Sequence, residues 1–433
     1  MDGARTIGQR AALGAIERMI AATVPHAILF AGEAGVGKTT LALDLAAGLL
    51  CTAASRPDRP CRVCRGCRLV ASGNHPDLHR LAPSGPGGQI RIGERSDPEP
   101  GTVRALLSEL ALLPVEGGAR VAIVEAAHRM NEDAQSALLK TLEEPPPGTI
   151  IILCADEEER LLETVRSRCV RYRLGPVGVR DIEGFLAGRG VADAPTGARL
   201  ARIARGRPGV ALVYALAPDA ALIRAELART LLDLLRASRA ERLTMARDLL
   251  VRSADLVHAL ETANRDGDAH AGADGGSDRR GRASGRGPAP ARGGRSRTST
   301  PSVVATVDEG MAVDRNGAAG PAGGDDRASP ASEEAEPVAK ITAAARRRSA
   351  GELIEIWRDL VRDVAFTGLG EGRSLRDPAL ADDLAAAQGL VSPAAAALFL
   401  ERLVRAGELL ESNVVPELIV DDLVIRWRPH AAA

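Results

Sequence analysis

The residues Gly32-Glu33-Ala34-Gly35-Val36-Gly37-Lys38-Thr39 have the types and spacing of a phosphate-binding loop. Glycines at 32, 35 and 37 let backbone amides converge on an anion with no Cβ in the way. A helix opening at Lys38 would add the positive end of its dipole. Lys38 is long enough to reach the outer phosphates, and the Thr39 hydroxyl can ligate Mg²⁺. Gly32, Gly35, Val36, Gly37, Lys38, Thr39 and Thr40 are therefore the candidate site for ATP or ADP with Mg²⁺. Lysine is scarce here: only Lys38, Lys140 and Lys340 occur, and every other basic residue is arginine. A lysine in such a background marks a place that needs a compact ammonium instead of a planar fork.

Phosphoryl transfer also needs acids at the end of a neighbouring strand. The apolar run Val121-Ala122-Ile123-Val124 ends in Glu125-Ala126-Ala127-His128. Glu125 has the reach to touch a metal's hydration shell. Ala126 stands where a base would polarise the attacking water, and losing a positioned base costs ~10²–10⁴ in rate. The expectation is nucleotide binding with weak or absent hydrolysis by this chain alone.

A second constellation is Cys51, Cys61, Cys64 and Cys67, in the pattern C-x₉-C-x₂-C-x₂-C. Four thiolates suit a closed tetrahedral structural Zn²⁺ site, which would order a segment too short for its own core. An iron–sulfur cluster is the rival, since C-x₂-C-x₂-C occurs there too, although no Cys-Pro follows. Cys154, inside an apolar run, reads as a buried small hydrophobe. His75 and His79 read as loop residues and not as ligands.

Positioning these groups takes alternating strands and helices. Arg10–Ala22 has helical spacing, Ala27–Ala31 is an apolar strand, and the helix after the loop runs through Leu50. Val103, Leu106, Leu107, Leu110 and Leu113 share a helix face, with Thr102 as its N-cap. Asp133–Leu142 is a helix that stops at Pro145-Pro146-Pro147, and Thr149–Cys154 is a strand. Continuous apolar strands between helices mean a parallel sheet covered on both faces. Residues 176–225 read as short helices, and Ala221–Leu260, Ile341–Ala365 and Ala379–Leu410 as longer ones.

Composition bounds the rest. The 433 residues suit two or three domains, and a net charge of −1 excludes a wholly basic nucleic-acid coat. Aromatics at 2% argue against single-strand binding by base stacking. Met1–Arg5 has no apolar h-region, and no run approaches the roughly 18 apolar residues of a membrane span. With six cysteines in so long a chain, a reduced, cytoplasmic protein is expected. Residues 263–337 contain 14 Gly and 6 Pro and no Leu, Ile, Phe, Trp or Tyr, so they read as a disordered linker. Its arginine-rich first half is open to two readings, a solvated spacer or a weak phosphate-binding arm.

Further motifs come in order: Ile7-Gly8-Gln9, His26-Ala27-Ile28-Leu29-Phe30, His75-Pro76-Asp77, Leu138-Leu139-Lys140-Thr141-Leu142-Glu143-Glu144-Pro145 and Ser167-Arg168-Cys169. Together with the loop and the cysteines, they give residues 5–215 a resemblance to the delta-prime family of bacterial DNA polymerase III clamp-loader subunits and its close relatives gamma and tau. The resemblance implies an AAA+ module over 1–175 with a zinc-binding insertion at 51–67, a helical lid over 176–220, and a helical oligomerisation collar over 221–262 and 338–427. It implies partners: gamma/tau and delta subunits in a pentameric ring, with the sliding clamp and primed DNA reached through the complex. It places the chain in a DNA-directed DNA polymerase III assembly, a nucleotidyltransferase, at the cytoplasmic nucleoid and away from membranes. It also implies that Arg168 reaches in trans to a neighbour's ATP, where a guanidinium can stabilise transferring phosphate charge.

Three departures refine this expectation. Glu125-Ala126 replaces the acidic pair of an active ATPase, which favours the delta-prime type over an active gamma/tau type. Gly209, in Gly206-Arg207-Pro208-Gly209, stands where gamma-type relatives carry a sensing arginine. The first cysteine spacing is one residue longer than usual. Lys140 and Glu143 share a helix face, which is open to a helix salt bridge or to contact with DNA phosphate or the next subunit.

Overall fold

The first layer of the protein is a set of short strands whose residues are apolar on both sides, which only a sheet covered twice can bury. The computed structural model describes residues 4–273 and 342–428, apart from 56–57, 85–87, 95–98, 117, 372–374 and 413. In chain order come α1 (Arg10–Ala21), β1 (Ala27–Ala31), α2 (Lys38–Leu49), α3 (Arg65–Ala71), β2 (Leu78–Leu81), α4 (Val103–Leu110), β3 (Arg120–Val124), α5 (Glu132–Glu143), β4 (Thr149–Ala155), α6 (Glu163–Arg166) and β5 (Val170–Arg173). The five strands form one parallel sheet in the order β2-β3-β4-β1-β5. Ile28, Phe30, Val121, Ile123, Ile152 and Cys154 point to the face covered by α1 and α2. Ala27, Leu29, Ala122, Val124, Ile151 and Leu153 point to the face covered by α4 and α5. This is the parallel sheet covered on both faces that the apolar runs implied.

The two strands that the sequence pattern did not announce are the two edges, β2 and β5. Edge strands have one neighbour and less cover. Arg171 and Arg173 are accordingly exposed on β5, and β2 reads Leu-His-Arg-Leu, so neither carries an apolar run. Thr102 caps α4 as expected, accepting from the Ala105 amide. The helix stops at Leu110, however, and Leu113 stands 80% exposed before Pro114. A residue before proline is biased out of the helical region.

The second layer is all helical: α7 (Val179–Gly188), α8 (Ala194–Ile203), α9 (Pro208–Leu216), α10 (Pro218–Asp233), α11 (Arg239–Ala273), α12 (Ala343–Gly368), α13 (Ala381–Ala386), α14 (Pro393–Glu411) and α15 (Pro416–Arg426). The stretch expected at Ala221–Leu260 is two helices. Ser238 and Glu241 form a capping box that starts the second one: the Ser238 amide donates to Glu241 Oε2 at 2.7 Å, and the Glu241 amide to Ser238 Oγ at 3.4 Å. The expected Ala379–Leu410 helix is interrupted by Gly389, which holds φ +86°, and restarts with Ser392 as N-cap and Pro393 after it. One buried cluster runs from Val177 through Leu231 to Trp427, so the core has no break near residue 220, where the lid was expected to end.

Helix α11 continues to Ala273, past the expected start of the linker at 263; the rest of that segment, 274–337, lies outside the described residues. On its two sides, α11 and α12 pack together through Ala246, Leu249 and Leu256 against Leu353, Ile356 and Trp357. Arg348 adds an ion pair to Glu261 at 2.8 Å. A buried charge network then fixes α12 to the helices before it. Asp359 accepts Arg205 at 2.5 Å and Arg224 at 2.6 Å, and Arg199 reaches Asp377 at 2.8 Å. Among the described residues, no helix is long and apolar enough to cross a membrane.

Three of the few aromatic residues gather where α12, α14 and the end of α15 meet. Trp357 lies 5.3 Å from Phe399, and Phe399 lies 4.6 Å from Trp427, between ring centroids. Trp427 Nε1 donates to the Leu231 carbonyl at 2.8 Å, which closes α15 onto α10. Trp427→Ala is expected to destabilise this core by about 3–5 kcal/mol, measured as a shift in the urea unfolding midpoint of the full chain.

Candidate nucleotide and metal sites

The loop between β1 and α2 has the backbone that phosphate binding requires. Gly32, Gly35 and Gly37 hold φ of +148°, +80° and +107°. A Cβ on Gly32 would lie 2.4 Å from the Leu174 carbonyl oxygen, so glycine is obligatory there. Around Gly37 nothing lies within 4 Å of an added Cβ, and no side chain caps α2. An uncapped helix start beneath an open glycine is a cradle for an anion, so these residues fit a nucleotide's phosphates. Thr39 and Thr40 lie in the first turn of α2, and Val36 turns into the core.

Strand register decides what surrounds Lys38. Ala31 pairs with Ala155 and Val124 with Leu153, so β1, β4 and β3 end side by side. The Gly32 amide donates to the Ala155 carbonyl at 3.2 Å and stitches the loop to β4. Asp156 follows immediately. Lys38 Nζ lies 2.6 Å from Asp156 Oδ1 and donates to the carbonyls of Gly32 and Glu33, both at 2.7 Å. Glu125 follows β3 at this rim, but its carboxylate is held by Arg80 of β2 at 2.6–2.8 Å. Ala126 has the left-handed φ of +46° and begins the turn that carries His128. The Asp156 amide donates to His128 Nδ1 at 3.1 Å, which leaves the proton on Nε2. Burial lowers the pKa of His128, which keeps the ring neutral. Cys154, fully buried beneath these groups, has its thiol pushed up to about 12 by burial and behaves as the small hydrophobe expected.

Asp156, His128 and Arg80 were not singled out from the sequence. The sequence signal for Asp156 is its place as the first residue beyond β4, the strand that neighbours the phosphate loop. That neighbour relation is a property of strand order, which spacing alone does not give. The start of α9 also meets the loop, where the Gly209 amide donates to the Gly35 carbonyl at 2.9 Å. A Cβ at Gly209 would come within 3.2 Å of Gly35, so an arginine there could not keep this approach without a shift.

The four cysteines converge. The Sγ of Cys51 lies 3.6 Å from that of Cys61 and 3.8 Å from that of Cys64, and all four sulfurs fall within 4.8 Å of one another. Thiolates around Zn²⁺ at about 2.3 Å form a tetrahedron with edges of about 3.8 Å, so the donor set fits such an ion. Backbone amides support the sulfurs: Cys64 donates to Cys61 Sγ at 3.4 Å, and Cys67 to Cys64 Sγ at 3.3 Å as α3 begins. Burial raises the thiols of Cys51 and Cys67. Burial also raises Cys64, but hydrogen bonds from Thr52 and the Cys67 amide outweigh it and bring the thiol down to about 6. His75 is buried yet outside the cluster, its Nδ1 accepting from the Asp77 amide at 3.1 Å. His79 lies on β2 and not in a loop, 2.7 Å from Glu109.

Arg168 follows α6 on the surface, with its side chain 35% exposed. Its Nη1 donates to the Thr164 carbonyl at 2.9 Å, and its Nη2 pairs with Glu143 at the end of α5. Glu143 therefore serves Arg168 and makes no helix salt bridge with Lys140. Lys140 is exposed, with no ion pair among the described residues.

Comparison with known proteins bears on the N-terminal part of the chain. A family described as DNA polymerase III, delta subunit, matches residues 8–178. The chain is 36% identical to DNA polymerase III subunit delta' of Pseudomonas aeruginosa over 172 residues, 39% of this chain and 49% of that protein. It is 35% identical to DNA polymerase III subunit delta' of Bacillus subtilis over 161 residues, 37% of this chain and 45% of that protein. With DNA polymerase III subunit tau of Escherichia coli it shares 30% identity over 209 residues, 47% of this chain and 31% of that protein. The chain thus spans about half or less of the length of these relatives. The resemblance drawn from the motifs is borne out for the N-terminal module, with delta' and tau subunits both among its relatives.

The cysteine geometry generates a direct test. The purified chain is expected to carry about one tetrahedral metal ion, and Cys64→Ser to lose it and lower the melting temperature by roughly 5 °C or more. Elemental analysis and thermal unfolding with and without a chelator measure both.

Proposed function

We propose that this chain is a delta-prime-type subunit of a bacterial DNA polymerase III clamp loader. It would assemble with gamma/tau and delta subunits in a pentameric ring that opens the sliding clamp and sets it on primed DNA. The observation that carries the reading is the contrast at one sheet end: a phosphate cradle complete in its glycines and lysine, beside a strand whose second following position is Ala126. The backbone amides of Gly35–Lys38 would hold the phosphates of ATP or ADP, and the Thr39 hydroxyl would meet Mg²⁺. Bound Mg²⁺ supplies charge screening between phosphates. Glu125, engaged by Arg80, is one residue before an alanine that has no proton acceptor, so no side chain at that position activates water.

In this reading the cysteine cluster holds structural zinc, and the chain works in the cytoplasm at the replisome. Its contribution to hydrolysis is Arg168, on the surface and oriented by Glu143 and the Thr164 carbonyl. A guanidinium offered across a subunit boundary stabilises charge on a transferring phosphoryl group only when the boundary forms. Hydrolysis thereby becomes conditional on assembly. A second reading, an active gamma/tau-type ATPase, draws on the similarity to tau. Turnover separates the two, and the isolated chain is expected to hydrolyse ATP no faster than background; robust turnover would reverse the order.

Arg168→Ala is expected to leave nucleotide binding by this chain intact and to slow DNA-stimulated ATP hydrolysis by the reconstituted loader by roughly 10²-fold or more. Unchanged steady-state turnover in that complex would remove the proposed role.

A further inference from the structure

We propose that Asp156 makes this phosphate loop selective for a nucleoside diphosphate over a triphosphate. The proposal rests on the reading of the loop as a nucleotide site. An ammonium has three donors, and all three of Lys38 are engaged: by the Gly32 and Glu33 carbonyls, each at 2.7 Å, and by Asp156 Oδ1 at 2.6 Å. In a phosphate loop the lysine reaches the β- and γ-phosphates, while backbone amides cradle the α- and β-phosphates. The place of the outermost phosphate beside the ammonium is thus taken by a carboxylate belonging to the chain.

The backbone that carries the carboxylate is anchored at the site. The Asp156 amide is bonded to His128 Nδ1 at 3.1 Å, and the Ala155 carbonyl before it accepts from Gly32 at 3.2 Å. Both bonds belong to the peptide that joins Ala155 to Asp156, so the backbone is fixed to the site where it enters Asp156. Among the described residues, no second cation pairs with it: Arg80 is spent on Glu125, and His128, 3.8 Å from Asp156 Oδ2, is held neutral by burial. Lys38 is only 6% exposed and Asp156 32%, so water reaches the pair from the carboxylate's side and not from the ammonium's. A third phosphate arriving here must displace Asp156 from Lys38 and then stand beside its negative charge. A diphosphate has no γ-phosphate to place there, and its β-phosphate is also cradled by the loop amides, so it depends less on the ammonium and meets less of this repulsion.

Calorimetric titration of the full chain with ADP and with ATP, each with Mg²⁺, tests this before any mutation. The wild-type chain is expected to bind ADP about tenfold or more tightly than ATP. Asp156→Asn, which keeps the backbone bonds and removes the charge, is expected to tighten ATP about tenfold and ADP less than about threefold. Equal or tighter binding of ATP by the wild-type chain overturns the proposal, and so does an ATP-to-ADP ratio unmoved by Asp156→Asn. Binding of neither nucleotide by either protein overturns the nucleotide reading itself, and the proposal with it.

Discussion

The buried ammonium of Lys38 is the constraint on which the N-terminal module turns. A charge that is 6% exposed needs partners on every side, and here they come from three places in the chain: the loop's own carbonyls, the end of β4 and, through His128, the turn after β3. Only a parallel sheet in the order β3-β4-β1 brings those ends together at one rim. The same rim carries Glu125, which Arg80 from the edge strand neutralises. Both carboxylates at this rim, Asp156 and Glu125, thus have a cation, and neither is left poised as a base.

The cysteine-bearing segment is coupled to this site through α2. Asp44, 1% exposed in that helix, accepts the amides of Arg5 and Thr6 and the Thr6 hydroxyl, and pairs with Arg62 between the cysteines. Cys51 follows the last turn of the same helix. A metal gathering the four thiolates would therefore anchor the far end of the helix whose first turn forms the phosphate cradle. Just before β2, Asp77 holds the amides of Val115 and Glu116 at 2.6 and 3.0 Å. Through that contact the His75-Pro76-Asp77 motif fixes the approach of the chain to β3.

The helical half obeys a different logic. Its core is continuous from Val177 to Trp427, and buried arginines on α10 and near α8 and α9 share the carboxylates of α12. Charges this buried are costly unless each has a partner. The chain on the two sides of the long undescribed segment is therefore held in one register by ion pairs and apolar packing together.

Much was legible from local pattern. The three central strands, the helices that cover them, the cap at Thr102, and both constellations of chemistry follow from apolar runs, glycine placement and cysteine spacing, because each depends on residues close in sequence. The edge strands were not legible, since a strand with one neighbour needs no apolar run. The breaks at Ser238 and Gly389 lie inside stretches of continuous helical spacing, although their capping and left-handed signals are local. What the sequence by itself determined is a loop able to cradle phosphate, four thiols able to hold a metal, and a missing base at Ala126. Tertiary structure alone decided that Asp156 meets Lys38, that Arg80 takes Glu125, and that Glu143 orients Arg168. Those partners lie on different strands and helices, and the order and register of a sheet are set by long-range packing that no stretch of sequence carries alone.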